Sequence, residues 1–125
     1  MSDKAKNVII CDDIRQEANG KYFLIGVYPW NIVVSPLPAN IPLSTYIEFE
    51  EFSNTNVRIE LEVRYNKKIA GSISVDVEVT TPGASAVALP RMPIPVGGPG
   101  ELTWHISVGG KKMTLIKTLK VLLSS

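Results

Sequence analysis

Residues 57–65, VRIELEVRY, alternate without a break: Val57, Ile59, Leu61, Val63 and Tyr65 on one side, Arg58, Glu60, Glu62 and Arg64 on the other. Such a period of two describes a strand with one buried and one wetted face, since a helix would repeat its apolar positions every three or four residues. After Asn66 and Lys67 the alternation resumes, with Ile69, Ile73, Val75, Val77 and Val79 inward and Ser72, Ser74, Asp76 and Glu78 outward, so the two runs form a hairpin. Gly71 falls at an inward position, which predicts a bulge or the close approach of a large side chain from a facing sheet.

A second hairpin is written near the C-terminus. Leu102, Trp104, Ile106 and Val108 alternate with Thr103, His105 and Ser107, and Gly109-Gly110 supplies the positive φ angles of a two-residue turn. The return strand runs from Lys111 to about Leu122, pairing Trp104 with Leu115, Ile106 with Met113, and the outward His105 with Thr114. Leu122 then faces away from the inward set Met113, Leu115, Leu119, Val121 and Leu123. Residues 43–52, LSTYIEFEEF, add a strand whose alternation breaks at Glu50-Glu51.

Two Pro-rich stretches, SPLPANIP at 35–42 and TPGASAVALPRMPIPVGGPG at 81–100, read as loops that no helix crosses. There is no sustained helical period and no internal repeat. The fold class that follows is all-β: a single domain over residues 1–125, built as an antiparallel two-sheet β-sandwich, immunoglobulin-like, with about seven to nine strands.

Charge and cysteine content narrow the function classes. Thirteen basic and twelve acidic residues leave a net charge of +1, too little to attract nucleic acid or an anionic membrane surface over long range. Cys11 is the only cysteine, so no intramolecular disulfide forms and a reducing, cytoplasmic compartment is expected. The apolar run in MSDKAKNVIICDD is too short for a signal-peptide core or a spanning helix.

Residues 11–30, CDDIRQEANGKYFLIGVYPW, gather three carboxylates and an arginine before an aromatic strand. With Asn19-Gly20 as a two-residue turn, Glu17 faces Tyr22, Arg15 faces Leu24, Asp13 faces Gly26 and Cys11 faces Tyr28. Asp13, Arg15 and Glu17 then form an outer charge ladder, with Val8, Ile10, Ile14, Phe23, Ile25 and Val27 on the buried face. Asp12 is left pointing at apolar residues, where an unpaired carboxylate is costly. A bulge at Asp12-Asp13 that frees both side chains is the simple account, and a calcium site is the sharper one. The remaining loops offer no aspartate, so no metal and no cofactor are expected.

The string DDIRQEANGKYFLIGVY, with the later GPGELTWHISVGGKK hairpin, resembles a family of small uncharacterised bacterial proteins, a domain of unknown function, which open on a similar Asp-Asp, Arg, Glu, Gly-Lys, Leu-Ile-Gly-Val-Tyr pattern. The resemblance covers mainly residues 11–28 and more loosely 98–111. It implies a β-sandwich and transfers no catalytic or binding residue.

Catalytic sets are missing from the chain. His105 is the only histidine and sits on an outer strand face; Cys11 has no histidine or helix start beside it; and no phosphate-binding, dinucleotide-binding or zinc-protease motif occurs. The expectation is therefore a non-enzymatic interaction or assembly module with a protein partner or a second copy, acting through end loops or an edge strand, with a component of a phage particle as one form of it. The alternative is a module that stacks Tyr22, Tyr28, Trp30 or Trp104 on a small, carbohydrate-like ligand.

The candidate contact residues are Leu89, Arg91, Met92 and Ile94 in the long Pro-rich loop, together with Tyr28, Trp30 and Leu122. If the strands alternate in direction, Tyr28-Pro29-Trp30, residues 53–56, residues 81–100 and the C-terminus share one end. Trp30 either anchors a partner or closes the core, the lid being the simpler reading. An outward Leu122 on a terminal strand suits subunit contact.

Overall fold

The computed structural model describes residues 5–34, 39–49, 56–78 and 85–123. Nine strands run in chain order: β1 (Ala5–Gln16), β2 (Tyr22–Val27), β3 (Asn31–Val34), β4 (Ala39–Phe49), β5 (Asn56–Tyr65), β6 (Lys68–Glu78), β7 (Ser85–Val96), β8 (Gly100–Val108) and β9 (Thr114–Leu123). They form a four-stranded sheet, β2-β1-β4-β7, and a five-stranded sheet, β3-β9-β8-β5-β6. All pairings are antiparallel except β3 with β9, which is parallel. The two sheets pack face to face as a β-sandwich, as the alternation requires.

The core lies between them. Ile10, Leu43, Ile47, Phe49, Leu89 and Ile94 from the four-stranded sheet meet Ile59, Leu61, Val63, Leu102, Trp104, Leu119 and Val121 from the five-stranded one. Each such residue contributes about 1.5–3 kcal/mol by leaving water. Trp104 is fully buried, and its Nε1 has no hydrogen-bond partner among the described residues. It is therefore part of the core and cannot stack on a ligand.

The β5–β6 hairpin pairs Tyr65 with Lys68 across Asn66 and Lys67, both at positive φ (48° and 72°). At Gly71 both sequence expectations hold together. Ala70 is an extra residue between the Val63–Gly71 and Arg64–Ile69 pairs, and a Cβ on Gly71 would lie 2.9 Å from Ile94 Cδ1 and 3.0 Å from Met92 Sδ. The bulge inverts the side-chain parity beyond it, so Ile69, expected inside, is exposed.

A second bulge corrects the C-terminal hairpin. The link after Val108 runs to Met113, His105 pairs with Leu115, and Trp104 pairs with Lys117, so Ile116 is the extra residue. Ile116 packs on the core, and Leu115 takes the outer face.

Of the segment 81–100 expected as a loop, residues 81–84 lie outside the described residues and most of the rest is strand. Ser85–Val96 is strand β7, an edge strand paired with β4 from Ala39–Val96 to Phe49–Ser85. Pro93 lies opposite Pro42. That pairing works only where neither residue owes the other an N–H, and Pro95 has the same parity. Leu89 and Ile94 are core residues, Met92 is half-buried against Gly71, and Arg91 is exposed beside the bulge between the Leu43–Met92 and Thr45–Leu89 pairs. Of the ends expected to cluster, residues 53–55 and 81–84 lie outside the described residues. The C-terminal end of β9 lies beside the end of β3, whereas β7 begins opposite Phe49.

Candidate functional site

The β1–β2 hairpin answers whether its carboxylates form a site. Its connection spans Glu17–Lys21, closed by Glu17 N donating to Lys21 O and Gly20 N donating to Glu17 O, so it is longer than a two-residue turn. The register therefore moves by one: Gln16 pairs with Tyr22, Arg15 with Phe23, Asp13 with Ile25 and Cys11 with Val27. A one-residue slip transfers a strand's whole side-chain set to the other face. Phe23, Ile25 and Val27 accordingly join Asp13 and Arg15, and both Phe23 and Val27 are exposed.

Asp12 now faces Gly26, which has a φ of +69°. The carboxylate lies over this glycine, where a Cβ would come within 2.2 Å of Asp12 Oδ2. Tyr28 Oη donates to Asp12 Oδ1 at 2.7 Å, and Ser44 Oγ donates to the Asp12 carbonyl at 3.4 Å. Burial, then this bond to a carboxylate, push the Tyr28 phenol up to about 12. Asp13 accepts from Ile14 N and from Arg15 Nε. The Asp12 and Asp13 carboxylates are thus engaged within the hairpin, with no bulge at Asp12-Asp13. Among the described residues, no group of three or more His, Cys, Asp or Glu is placed to hold a metal ion.

Strand β1 bends where Asp12 meets Gly26. The rings of Tyr22 and Tyr46 lie 5.5 Å apart, yet their partners on β1, Gln16 and Ile9, are seven residues apart, about 23 Å along a straight strand. The far end of the hairpin therefore turns back toward β4. At the bend, Cys11 and Ser44 pair and are both buried. Burial pushes the Cys11 thiol up, against the bond it makes to the Asp13 carbonyl, which makes it a poor nucleophile at neutral pH.

His105 occupies the outer face of the five-stranded sheet between Glu62 on β5 and Leu115 on β9. Its Nε2 shares a 2.9 Å hydrogen bond with Thr103 Oγ1, and Arg64 pairs with Glu62. Burial and then Arg64 lower its pKa, and Glu62 acts in the opposite sense. Ile69 on β6 and Leu115 on β9, each next to a bulge, are exposed at either side of this pair of strands.

What remains without an internal role gathers on one side of the sandwich. β2 and β3 are the outermost strands of their sheets and follow each other in the chain. Along this side stand Phe23, Val27, Trp30, Val33 and, paired with Val33 on β9, Leu122. Trp30 is 78% exposed and closes nothing, contrary to the lid reading; Val33 is 59% and Leu122 40% exposed. Of the residues expected to make contact, Trp30 and Leu122 lie here, with Tyr28 half-buried at the Asp12 bond; Leu89 and Ile94 are in the core, and Arg91 and Met92 belong to the opposite edge. Phe23, Val27 and Val33 were missed. The first two were hidden by the register, and the uncharged run NIVV at 31–34 was the available signal for the third.

A family model matches residues 6–121, nearly the whole described chain. The chain belongs to the family of unknown function DUF6941. No curated protein matches the sequence. In this DUF6941 chain, the string DDIRQEANGKYFLIGVY is the interlocked hairpin itself: Asp12, Gly26 and Tyr28 at the bend, Asp13 with Arg15 beside it. Among the described residues no helix is long and apolar enough to cross a membrane.

Proposed function

We propose that the protein is a non-enzymatic interaction module that binds another protein through the side formed by β2, β3 and the outer residues of β9. The observation that carries this reading is the grouping of Phe23, Val27, Trp30, Val33 and Leu122, five of the seven large exposed apolar side chains among the described residues, along one side of the sandwich. Scattered surface apolar residues are ordinary, whereas a row of them beside an open sheet edge suits a contact surface. An intracellular setting fits the single, buried and unpaired Cys11.

The polar groups do not favour a catalytic reading. Asp12, Asp13 and Tyr28 are bound to each other or to neighbouring backbone, Cys11 is buried, and His105 is tied to Thr103 on an outer face. For stacking on a small ligand, Trp104 is internal, Tyr22 is packed on Tyr46 and the Tyr28 hydroxyl is bound to Asp12, which leaves Trp30 as the one exposed ring of these four.

The test is quantitative affinity capture from a native-host lysate with wild type, a Trp30→Ala/Leu122→Glu variant, and Ile69→Glu as a control on the opposite edge. The proposal expects a stoichiometric partner with wild type and Ile69→Glu that is lost with the double variant. A partner retained equally by all three would refute it.

A further inference from the structure

The four sheet edges differ in whether they can accept another strand. β7 carries Pro90, Pro93 and Pro95 and a bulge; β6 carries a bulge together with Lys68, Asp76 and Glu78; β2 holds Gly26, one residue before its end, at positive φ under the Asp12 carboxylate. Prolines, bulges and charges are the devices that close an edge. β3, Asn31–Val34, has no proline, no charge and no bulge, and β9 is its only partner among the described residues. Its short length limits an added strand to about two or three main-chain bonds, so side chains must supply the rest of the affinity.

The charge on β9, the strand that pairs with this edge, is one-sided. From Leu102 to Ser125 the chain has four lysines, Lys111, Lys112, Lys117 and Lys120, and no acidic residue, leaving nine basic and twelve acidic residues elsewhere. Lys117 and Lys120 lie in β9, and Lys120 is paired directly with Asn31 of β3, two positions before the Val33–Leu122 pair and on the same face. Glu101 faces Lys120 from β8, so its charge is partly balanced on the side away from β3. A second copy docked edge to edge would bring the same basic strand opposite itself, about three strand spacings away.

We propose that the outer edge of β3 receives an extended segment of a partner protein that carries an acidic residue two positions from apolar ones, so that they share a face, its apolar side chains on Trp30, Val33 and Leu122 and a carboxylate toward Lys120. This rests on the reading that the β2–β3 side is the contact surface, and it names the chemistry of what is bound. Main-chain bonds to the edge give a common grip, and alternate side chains give selectivity.

The experiment is selection of a displayed library of random dodecapeptides on the full chain, followed by affinity measurement of synthetic copies of the enriched peptides. Enriched peptides should carry an acidic residue two positions from an apolar one and weaken as salt rises. They should lose about tenfold or more in affinity on Val33→Glu and on Lys120→Glu, with no change on Ile69→Glu; all three residues are exposed, and equal melting temperatures confirm that each variant folds. Enriched peptides sensitive to Val33→Glu but not to Lys120→Glu, or without acidic bias, overturn the acidic-segment inference and leave the contact surface standing. A dimer in light scattering that Val33→Glu dissociates overturns it in favour of a second copy. No selected peptide sensitive to Val33→Glu, in a protein that is monomeric, overturns both.

Discussion

Replacing Gly26 by alanine tests the interlocked hairpin. An L-residue held at a φ of +69° costs about 1–2 kcal/mol. The new Cβ would lie 2.2 Å from Asp12 Oδ2 and 2.8 Å from its Cγ, so the carboxylate must swing away and give up the Tyr28 hydroxyl. That hydrogen bond is to a charged group but Asp12 is exposed, which places its loss at about 1–1.5 kcal/mol. The two contributions give about 3 kcal/mol, or a melting temperature lower by roughly 12 °C for a domain of this size. Tyr28→Phe alone should cost about 1–1.5 kcal/mol. In the Gly26→Ala background it should cost almost nothing, because the bond is already broken.

Urea unfolding followed by the fluorescence of buried Trp104 measures all four corners of the cycle. A coupling of about 1 kcal/mol is expected, and simple additivity within about 0.5 kcal/mol would refute the account of the bend. Absorbance titration gives a second check: Tyr28 should ionise near 12 in the wild type. Its folded value lies above the unfolded value of about 10, so this stability is lost as pH rises from about 10 through 12.

Other predictions follow from single positions. Lys67→Gly should stabilise the chain by about 0.5–1 kcal/mol in chemical denaturation, since Lys67 holds a φ of +72° in a turn that favours glycine there. His105 has a folded pKa below its unfolded value of about 6.5, so the unfolded chain binds its proton first; stability should fall as pH drops below about 6.5, and His105→Gln should flatten that part of the profile in urea unfolding. Cys11 should react with an aromatic disulfide reagent at least about a hundredfold more slowly in the native protein than in denaturant, because its thiol is buried and its pKa raised.

Where strands are straight, the residues announced them. The alternation of 57–65 and 102–108 placed Ile59, Leu61, Val63, Leu102, Trp104 and Ile106 in the core correctly. The failures begin at single extra residues. Ala70 and Ile116 each invert parity and turn Ile69 and Leu115 outward, and nothing in the apolar pattern distinguishes a bulge from a continued strand. One additional loop position after Gln16 likewise moved Phe23 and Val27 to the exposed face and hid part of the exposed apolar row.

The Pro-rich segment was misread for a different reason. Met92, Ile94 and Val96 alternate with Pro93 and Pro95, a pattern an edge strand tolerates because every second N–H points away from its neighbour. Tertiary position, which the local sequence does not carry, decides between an edge strand and a loop. The bend at Asp12 was equally hidden, since it depends on Gly26 across the hairpin and on Tyr46 in another strand.

The most direct measurement of the central claim is amide hydrogen exchange on the protein alone and on the captured complex. Peptides spanning Asn31–Val34 and the end of β9 should gain protection on binding, while those from β6 and β7 at the opposite side should not change. Protection confined to β6 and β7, or none in β3, would contradict it.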